Sequence, residues 1–506
     1  MTRKPFLLLA IALATTACGK KDSSFDYLYK DLPFKMEKVS KPIIPDYTVD
    51  ITEFGGIGDG VTLNSQAFAN AMSHLAAKGG GHLNVPAGIW LTGPIGLEDN
   101  TDLHVCPNAI IIFDPDTKHY PIVETMYEGT TQARCESPLH ADGKKNISVT
   151  GGGVIDGSGE AWRMVKQEKL TANEWNKLIK SGGLTMGTTW YPDDSFFTYR
   201  EFRRNNQGLS YDDPAWNSVK RALRPVLVSF RNCENVLLED CTFQNSPAWN
   251  IHPRMCRNLI VNRVTVRNPW YAQNGDAIDI DSCENVLVVD SNFDAGDDGI
   301  CVKSGKDAEG RKWNRPTKNL IVDNCVVYHG HGGFTVGSEM SGGVHNVKVS
   351  NCRFLGTDVG LRFKSTRGRG GVVDNIYIDN VYMKDIVTDA VLFNLYYGGN
   401  DPAMMAALGL KHKVEDELSR TADETTPAFR DIHISNVVCN GADRAMFFNG
   451  LPEMPVKGID LKDVTITAKH GIQLYWSENI TMKNVQIHAS EGESVVTANV
   501  KNLKQE

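Results

Sequence analysis

The sequence predicts an all-β chain folded as a parallel β-helix, a solenoid of stacked coils. Three observations predict it. A phrase of Asn followed by alternating aliphatic residues recurs about ten times, its central copies lie 23 to 34 residues apart, and Cys residues recur at fixed offsets from the Asn. Such alternation is typical of a half-buried strand. One strand cannot bury its apolar side alone, whereas stacked copies share a continuous interior. A leucine-rich repeat is disfavoured, because the copies lack a regular Leu spacing and a helix per repeat.

The repeated phrase is clearest in ENVLLEDCTF, ENVLVVDSNF and HNVKVSNCRF. In each coil the repeat residue is expected to occupy the same turn, where an Asn side chain can bond to backbone or to its neighbours in adjacent coils. The ten copies are centred on Asn146, Asn235, Asn258, Asn285, Asn319, Asn346, Asn375, Asp431, Gly458 and Asn479.

Composition limits the class of protein. The chain has 506 residues, of which 23% are charged and 41% hydrophobic, and its net charge is −8. This is an ordinary balance for a soluble protein, and the negative charge argues against nucleic-acid binding. Beyond the N-terminus, the sequence contains no apolar run of 18 residues that would predict a membrane-spanning helix.

The N-terminus predicts export. Residues 1–18, MTRKPFLLLAIALATTAC, combine a basic start, a short apolar stretch and small residues before Cys18. This pattern is similar to a bacterial lipoprotein signal, so we expect Cys18 to be lipidated and the protein to be anchored in the cell envelope. The alternative is an ordinary cleaved signal in which Cys18 is incidental. Residues 19–45 are predicted to form a polar tether.

Residues 46–506 are predicted to form a single β-helix domain. Residues 47–80 indicate a strand, a GDG turn and an amphipathic helix that caps the open end of the stack, as solenoid ends require. The regions 158–222 and 399–428 break the repeat and are predicted to be insertions, which in solenoids often shape the binding face.

Cysteine placement agrees with stacking. Three Cys residues lie two positions before a repeat Asn, and three others lie six positions after one: Cys233, Cys256, Cys283, Cys241, Cys325 and Cys352. Buried free Cys behaves as a small hydrophobic residue, so we expect packed thiols rather than disulfides. A metal site is not predicted, because the chain has no CxxC and its His residues lack ligand spacing.

Successive coils carry residues that could perform chemistry. The stretch FDAGDDGICVKSG places Asp297 beside Asp298, flanked by glycines that allow the backbone to leave regular strand geometry. At comparable positions in the neighbouring coils lie Asp276, His331, and the pair Arg362 and Lys364. Because stacked coils lie about 4.8 Å apart, these residues are expected to form one patch.

The predicted patch suits hydrolysis of a glycosidic bond in an acidic sugar. One carboxylic acid must protonate the leaving oxygen while another carboxylate activates water. Crowded carboxylates raise the pKa of one member, which keeps it protonated. Arg362 and Lys364 add the positive charge that an acidic sugar requires, and Arg can hold a carboxylate with two hydrogen bonds.

The motifs also resemble a known family. NGD at residues 274–276, GDD at 296–298, GHG at 330–332 and RFK at 362–364 resemble, in the same order, the NTD, DD, GHG and RIK motifs of the polygalacturonase family of glycoside hydrolases, family 28. The resemblance covers most of the chain, with Gly275 in place of Thr and Phe363 in place of Ile. It implies a right-handed β-helix, inversion at the anomeric carbon, and no metal or other cofactor.

The resemblance also implies roles for the matched residues. Asp297 would be the general acid, Asp276 and Asp298 would bind and activate water, and His331 would tune the acid or touch substrate. The remaining two, Arg362 and Lys364, would grip the uronate carboxylate beside the cleaved bond. The loop GKDAEGRKWNRP and the segment GSEMSGG are similar to bacterial exo-acting members.

For several other residues, the sequence is consistent with either a functional or a structural role. His252 in WNIHP and Tyr397 in LYYGG would either contact substrate or pack, and Asp279 is expected to support the site by hydrogen bonds. Trp190 and Trp313 would either stack on sugar rings or anchor their loops. Lys303 is expected to be solvated.

The function predicted from these residues is exo-acting hydrolysis of α-1,4-linked galacturonic acid in pectin by a monomer. Hydrolysis of a decorated pectin, either rhamnogalacturonan or xylogalacturonan, is the first alternative. A polysaccharide lyase on the same scaffold would require an acidic calcium site and a Lys or Arg base. A non-catalytic carbohydrate-binding β-helix is the third alternative, and it would tolerate loss of Asp297.

Overall fold

The computed structural model describes residues 25–398 and 418–506. Cys18 and the predicted signal lie outside the described residues, as do residues 399–417 of the second predicted insertion. Within the described ranges, the helices are all too short or too polar to cross a membrane.

Thirty-two strands of the described chain form one parallel sheet that winds into a right-handed β-helix, which confirms the predicted all-β solenoid. The sheet has three columns of strands, each strand pairing with its counterpart one coil away. The first column carries the repeat Asn residues and begins with β1 (Thr48–Asp50), β2 (Gly81–Val85), β5 (Thr101–Val105), β10 (Lys145–Thr150), β16 (Glu234–Glu239), β19 (Arg257–Asn262), β22 (Glu284–Val289), β25 (Thr317–Asp323) and β28 (Val344–Ser350).

The second column follows the first after a turn. It contains β3 (Gly88–Thr92), β6 (Ala109–Phe113), β11 (Val154–Asp156), β17 (Thr242–Gln244), β20 (Thr265–Arg267), β23 (Asn292–Asp294), β26 (Val326–Val327) and β29 (Arg353–Leu355). Towards the C-terminus, single long strands run through more than one column: β31 (Val372–Lys384), β33 (Ala428–Asn440), β35 (Val456–Ala468), β36 (His470–Ala489) and β37 (Val495–Gln505).

The third column carries the candidate functional residues, and we call it the site column. It consists of β4 (Ile95–Gly96), β9 (Leu139–Asp142), β15 (Val228–Arg231), β18 (Ile251–Arg254), β21 (Ile278–Asp281), β24 (Asp298–Lys303), β27 (Gly332–Val336), β30 (Leu361–Lys364), β32 (Asp389–Asn394) and β34 (Arg444–Asn449).

The repeat Asn residues form the predicted ladder. Asn258 donates from its side-chain amide to the Asn235 oxygen at 3.0 Å, and Asn285 donates to Asn258 at 3.2 Å. Each of these three residues has a φ of 57° or 58°, a left-handed conformation that Asn tolerates better than most residues. The repeat is therefore Asn because the turn needs this backbone and because the side-chain amide bonds to the coil on either side.

The core consists of side chains that alternate inward from the three columns. Phe363 and Phe393 stack in neighbouring coils with ring centroids 4.5 Å apart. All ten cysteines from Cys106 to Cys439 are free, and all but Cys106 are buried, which agrees with the packed thiols that the sequence predicts.

The predicted cap is present at the N-terminal end of the solenoid. Helix α1 (Ser65–Ala77) buries one face, including Phe68, Met72 and Leu75, against the core. Residues 25–45 correct one prediction, because they are not a free polar tether. The residues Phe25, Leu28 and Val39 are buried against outward apolar side chains of the first column, since covering that apolar surface is favourable.

Three excursions surround the site column. The insertion predicted at 158–222 contains α2 (Ala172–Lys180), α3 (Ser195–Asn205) and an antiparallel sheet of β12 (Val165–Lys166), β13 (Leu184–Met186) and β14 (Thr189–Tyr191). A hairpin that the sequence did not predict consists of β7 (Ile122–Tyr127) and β8 (Thr130–Cys135), and α4 (Asp307–Trp313) follows β24. Short 3-10 helices lie at Phe25–Tyr29, Ile51–Phe54, Thr117–His119, Gly159–Ala161, Gln167–Lys169, Pro214–Ser218 and Lys220–Ala222.

Candidate active site

The register of the site column brings the predicted residues together. Ile278, Ile300, Phe334 and Leu361 pair in consecutive coils and point into the core. Because side chains alternate along a strand, the next residue of each strand faces away from the core. That outward row runs from Asp279 through Cys301 and Thr335 to Arg362. Asp276 and Asp298 each lie two residues before a paired Ile, so they occupy equivalent positions in adjacent coils.

A bend explains how two neighbouring carboxylates share one surface. Strand β24 begins at Asp298, whereas Asp297 lies in the bend that precedes it, so the two do not alternate as they would on a regular strand. The bend brings Gly296 against the preceding coil, and a Cβ on Gly296 would lie only 2.4 Å from the Ala272 carbonyl oxygen. Glycine is therefore required at this close approach.

Asp298 is buried and bound by cations. Lys364 Nζ donates to Oδ2 at 2.7 Å, and Arg362 donates to Oδ1 at 3.0 Å. The Thr335 hydroxyl also donates to Oδ1, at 3.1 Å. Burial alone would raise the pKa of Asp298, but Lys364 and Arg362 outweigh it and hold this pKa well below its ordinary range. Asp298 is therefore ionised across the range in which most enzymes work.

Asp276 and Asp279 have the opposite environment. Burial, together with the charge of Asp279, raises the pKa of Asp276 well above its ordinary value. Burial also raises the pKa of Asp279 to about 7, although Lys303 opposes this shift. Ligand atoms of Asp276 and Asp298 lie within 4.8 Å of each other. Two carboxyl groups with opposed ionisation tendencies thus face one small volume, the arrangement expected for acid–base chemistry.

Asp297 is at the rim of the site and contacts His331. The Nδ1 atom of His331 lies 3.1 Å from Asp297 Oδ1, and the side chain of Asp297 is 18% exposed. On the other side of the imidazole, Nε2 lies 3.7 Å from Asp358. The hydrogen bond with Asp297 raises the pKa of His331 despite partial burial. The structure therefore brings Asp276, Asp297, Asp298 and His331 together, as the sequence predicts.

Arg362 and Lys364 also lie at the site. Both cations approach the ring of exposed Tyr397, with Lys364 Nζ 5.0 Å and the Arg362 guanidinium carbon 5.8 Å from its centroid. The sequence did not predict their direct pairing with Asp298. Side-chain torsions decide which oxygen a flexible Lys or Arg reaches, and residue spacing does not reveal them.

His252 and Trp190 are buried rather than presented to a ligand. His252 is 2% exposed, its Nε2 faces Asp281 at 3.4 Å, and its ring meets the edge of Trp249. The ring of Trp190 packs within the first insertion, and its indole donates to the Gly182 carbonyl. Trp313 lies against Gly305 at the base of its own loop. These contacts favour the packing alternative for all three residues.

Lys303 corrects a prediction, because it is not solvated. It is 4% exposed, and its Nζ lies 3.1 Å from Glu339 and 3.5 Å from Asp279. It also lies 4.7 Å from the ring centroid of Trp249. The register offered a signal, since Lys303 pairs with Asp281 on the same column. Glu339 and Trp249 were not predicted as site residues at all.

The unpredicted hairpin lies against this cluster. Tyr127 packs on Trp249 with ring centroids 4.6 Å apart, and Thr131 hydrogen-bonds to Glu309 of α4. At the hairpin tip, a Cβ on Gly129 would lie 3.1 Å from Glu339 Cγ. The hairpin and α4 together form a wall on one side of the site.

The first insertion holds the loop that leads to Asp276. Tyr271 of this loop packs against the cluster that contains Trp175 and Trp190. Buried Arg224, which follows the insertion, donates to the Gln273 carbonyl at 2.8 Å and to the Asn274 side chain at 2.8 Å. The approach to Asp276 is thus fixed by residues distant in sequence.

The acidic cluster does not fit a metal ion. Among the described residues, Asp276, Asp298 and Cys301 have ligand atoms close enough to share a cation. However, Lys364 and Arg362 already neutralise Asp298, and burial raises the pKa of the Cys301 thiol well above its ordinary value. A protonated thiol and a carboxylate paired with two cations make a poor ligand set.

Several buried polar atoms at the site have no hydrogen-bond partner within the described chain. They include Asp276 Oδ1, both oxygens of Asp279, Arg362 Nε and Tyr127 Oη. Buried polar groups are normally satisfied, so such a cluster is typical of a site that is completed by water or ligand.

Comparisons with known proteins agree with this geometry. The model of the family described as glycosyl hydrolases family 28 matches residues 205–414. The exo-poly-alpha-D-galacturonosidase of Dickeya chrysanthemi is 30% identical over 367 residues, which is 70% of this chain and 58% of that protein. A probable polygalacturonase of Vitis vinifera is 27% identical over 83% of this chain and 74% of its own length.

A solved structure extends the likeness to nearly the full chain. The hyperthermoactive exopolygalacturonase of Thermotoga maritima superposes with a TM-score of 0.73 and 30% identity, covering 93% of this chain and 96% of that one. The stacked coils, the ordered motifs and these likenesses lead to one conclusion: the chain belongs to family 28 of the glycosyl hydrolases.

Proposed function

We propose that this protein is an exo-acting polygalacturonase, which hydrolyses α-1,4 bonds between galacturonic acid residues near a chain end. The observation that carries the proposal is that carboxyl oxygens of Asp276 and Asp298 lie within 4.8 Å of each other, next to the Asp297 carboxyl group at the rim of the site. Membership of family 28 supports the reaction class, and the exo-acting relatives support the mode of action.

The geometry supports a single displacement. A water molecule held between Asp276 and Asp298 donates one hydrogen to the ionised carboxylate of Asp298, which takes that proton as the water oxygen attacks the anomeric carbon. The bond from that carbon to the glycosidic oxygen breaks, and Asp297 gives its proton to the leaving oxygen. Attack and departure on opposite faces invert the anomeric centre. Because Asp298 is held ionised by Lys364 and Arg362, it is available as the base at acidic pH.

The basic pair supports an acidic substrate. Besides its bond to Asp298, Arg362 has an unpartnered Nε, and the ring of Tyr397 lies beside both cations. We assign to Arg362 and Lys364 the uronate carboxylate next to the cleaved bond, and to Tyr397 the apolar face of that sugar. His252 has no direct role in this scheme because it is buried.

Exo action is supported by the wall that the hairpin and α4 form on one side of the site. The hairpin β7–β8 reaches Trp249 and Glu339 and is tied to α4 through Thr131 and Glu309. A wall at one end of a cleft prevents a polymer from extending past it, so the terminal residues of a chain are cleaved first.

Product sizing over time tests the function. With purified protein on polygalacturonic acid, we expect monomer or dimer alone from the earliest time point. A ladder of mixed oligomers at early times would contradict exo action while keeping the reaction class. Absence of product on this substrate, with turnover of rhamnogalacturonan or xylogalacturonan, would contradict the proposed substrate. Products with ultraviolet absorption would indicate a lyase.

A variant with a shortened hairpin tests whether the wall determines exo action. Residues Thr125 and Gln132 are paired across the hairpin, so replacing residues 126–131 with Asn-Gly preserves register with a favoured two-residue turn. We expect this variant to release longer oligomers at early times. Unchanged monomer release by the folded variant would show that the hairpin does not determine exo action.

We also propose that the protein is exported and lipid-anchored through Cys18. The basic start, the apolar stretch and the small residues before Cys18 support this location. In a bacterial host, the wild-type protein is expected in the detergent-extractable membrane fraction, and Cys18→Ser is expected to lose that association. Wild-type protein without an N-terminal lipid by mass spectrometry would contradict the anchor.

A further inference from the structure

Lys303 is a buried cation whose position the proposed reaction does not yet use. Its ammonium lies between the carboxylates of Glu339 and Asp279, at 3.1 and 3.5 Å, and over the ring of Trp249. The side chains of Lys303 and Asp279 are 5% and 0% exposed. A buried charge is costly unless it is paired, so the ammonium of Lys303 depends on these two carboxylates.

The two sides of the acidic site have separate cations. Lys364 and Arg362 contact Asp298 directly. Asp279, which lies in the same coil as Asp276, is instead contacted by Lys303 from the next coil. Glu339 competes for the same ammonium at a shorter distance, so Asp279 receives only part of its positive charge.

We propose that Lys303 is a positioning residue that supplies the countercharge for Asp276 and Asp279, and that Glu339 limits this countercharge. The inference rests on the proposed hydrolase function. Asp276 holds the attacking water best when it is ionised. A protonated carboxyl group uses one oxygen as an O–H donor and keeps less capacity to accept a hydrogen bond from the water. Lys303 therefore acts on the reaction through Asp276, without touching substrate.

Charged and titratable groups face Lys303 from every neighbouring element. They are Asp276 and Asp279 from the preceding coil, Cys301 and Asp298 from its own coil, Glu339 from the segment after β27 and His252 from β18. Lys364 from β30 acts on the same Glu339 carboxylate. Burial would favour the neutral amine, but the surrounding negative groups raise the pKa of Lys303 well above its ordinary value. Lys303 thus stays charged while the carboxyl groups titrate.

Removing the positive charge of Lys303 and removing the negative charge of Glu339 should shift the pH dependence of activity in opposite directions. In Lys303→Met the ionised form of Asp279 loses the cation in contact with it, and that of Asp276 loses a nearby positive charge, so the pKa values of both rise. As the pH falls, Asp276 is then protonated at a higher pH than in the wild type, and the activity that requires its ionised form is lost there. We expect the acidic limb of the kcat/KM profile to move up by about 1 pH unit or more. In Glu339→Gln, Lys303 is freed for Asp279, and the limb is expected to move down.

Further variants separate this effect from folding. Lys303→Met leaves Glu339 buried without its cation, so the double variant with Glu339→Gln removes both charges and is expected to place the limb between those of the single variants. Lys303→Arg keeps the charge and is expected to keep the wild-type limb. The matched control is Lys318→Met, whose ammonium pairs with Glu284 at 3.1 Å on the first column, and which should not shift the profile.

The outcomes distinguish this inference from the proposed function. Opposite shifts in the two single variants, with wild-type hydrolysis of polygalacturonic acid, would support the countercharge role. Shifts in the same direction, or reduced kcat without any shift, would overturn it and indicate a packing role. Absence of hydrolysis by wild-type protein would instead contradict the proposed function itself.

Discussion

Replacing Asp297 with Asn is expected to reduce kcat on polygalacturonic acid about 10²- to 10⁴-fold, the usual contribution of a positioned general acid. The amide has no proton of suitable acidity to give to the leaving oxygen, while its size is unchanged. Stability should change by no more than about 1 kcal/mol, because Asp297 is partly exposed and its pair with His331 is at the rim. Steady-state kinetics and thermal unfolding measure the two effects.

The chain offers a matched control for this substitution. Asp294 lies three residues earlier and contacts His329 Nδ1 at 2.8 Å, so it repeats the Asp–His pair outside the acidic cluster. Asp294→Asn is expected to retain wild-type kcat. Turnover by correctly folded Asp297→Asn at near wild-type rate would refute the assignment of Asp297 as the general acid.

The fold could be predicted because one local requirement recurs in every coil. Each repeat Asn from Asn146 to Asn346 adopts a left-handed backbone and accepts a hydrogen bond from the next repeat Asn, and these demands recur in sequence with the aliphatic alternation. The same register aligns Asp276 with Asp298 and places Arg362 two coils later. The convergence of the site was therefore contained in the spacing of the repeats.

Other features have no such recurring signal. The hairpin at Ile122–Cys135 contacts Trp249, more than a hundred residues later, and no repeat relates the two segments. Residues Phe25 and Leu28 cover the outside of strands far along the chain, and the segment that carries them is not a copy of the repeat. Burial of Lys303 depends on Glu339 and Trp249 together. Each case is decided by tertiary contacts that local propensity does not encode.

Asp298→Asn is expected to lose as much activity as Asp297→Asn, about 10²- to 10⁴-fold in kcat, and to lose stability as well. The difference follows from burial, because the side chain of Asp298 is 1% exposed and it pairs with both Lys364 and Arg362. Removing its charge leaves two largely buried cations without a counterion, which typically costs about 3–5 kcal/mol. Denaturant unfolding at neutral pH measures this loss.

A buried Asp outside the site serves as the control. Asp323 is 5% exposed and accepts hydrogen bonds from Ser350 and Asn351, and it has no ion pair with a cation in the described part of the chain. Asp323→Asn is expected to lower stability less than Asp298→Asn does and to retain wild-type kcat. If Asp298→Asn were as stable as wild type, the two cations could not depend on this carboxylate as the structure indicates.

The pH dependence of stability provides an independent check on Asp298. Its pKa is lower in the folded protein than its ordinary value of 3.8, so ionised Asp298 contributes stability that is fully present above about pH 4. This contribution is lost as the pH falls through the folded-state pKa, because the unfolded chain then binds a proton more readily. Wild-type protein should therefore lose stability more steeply below pH 4 than Asp298→Asn does. Parallel acid unfolding curves for the two proteins would contradict an ionised Asp298 between Lys364 and Arg362.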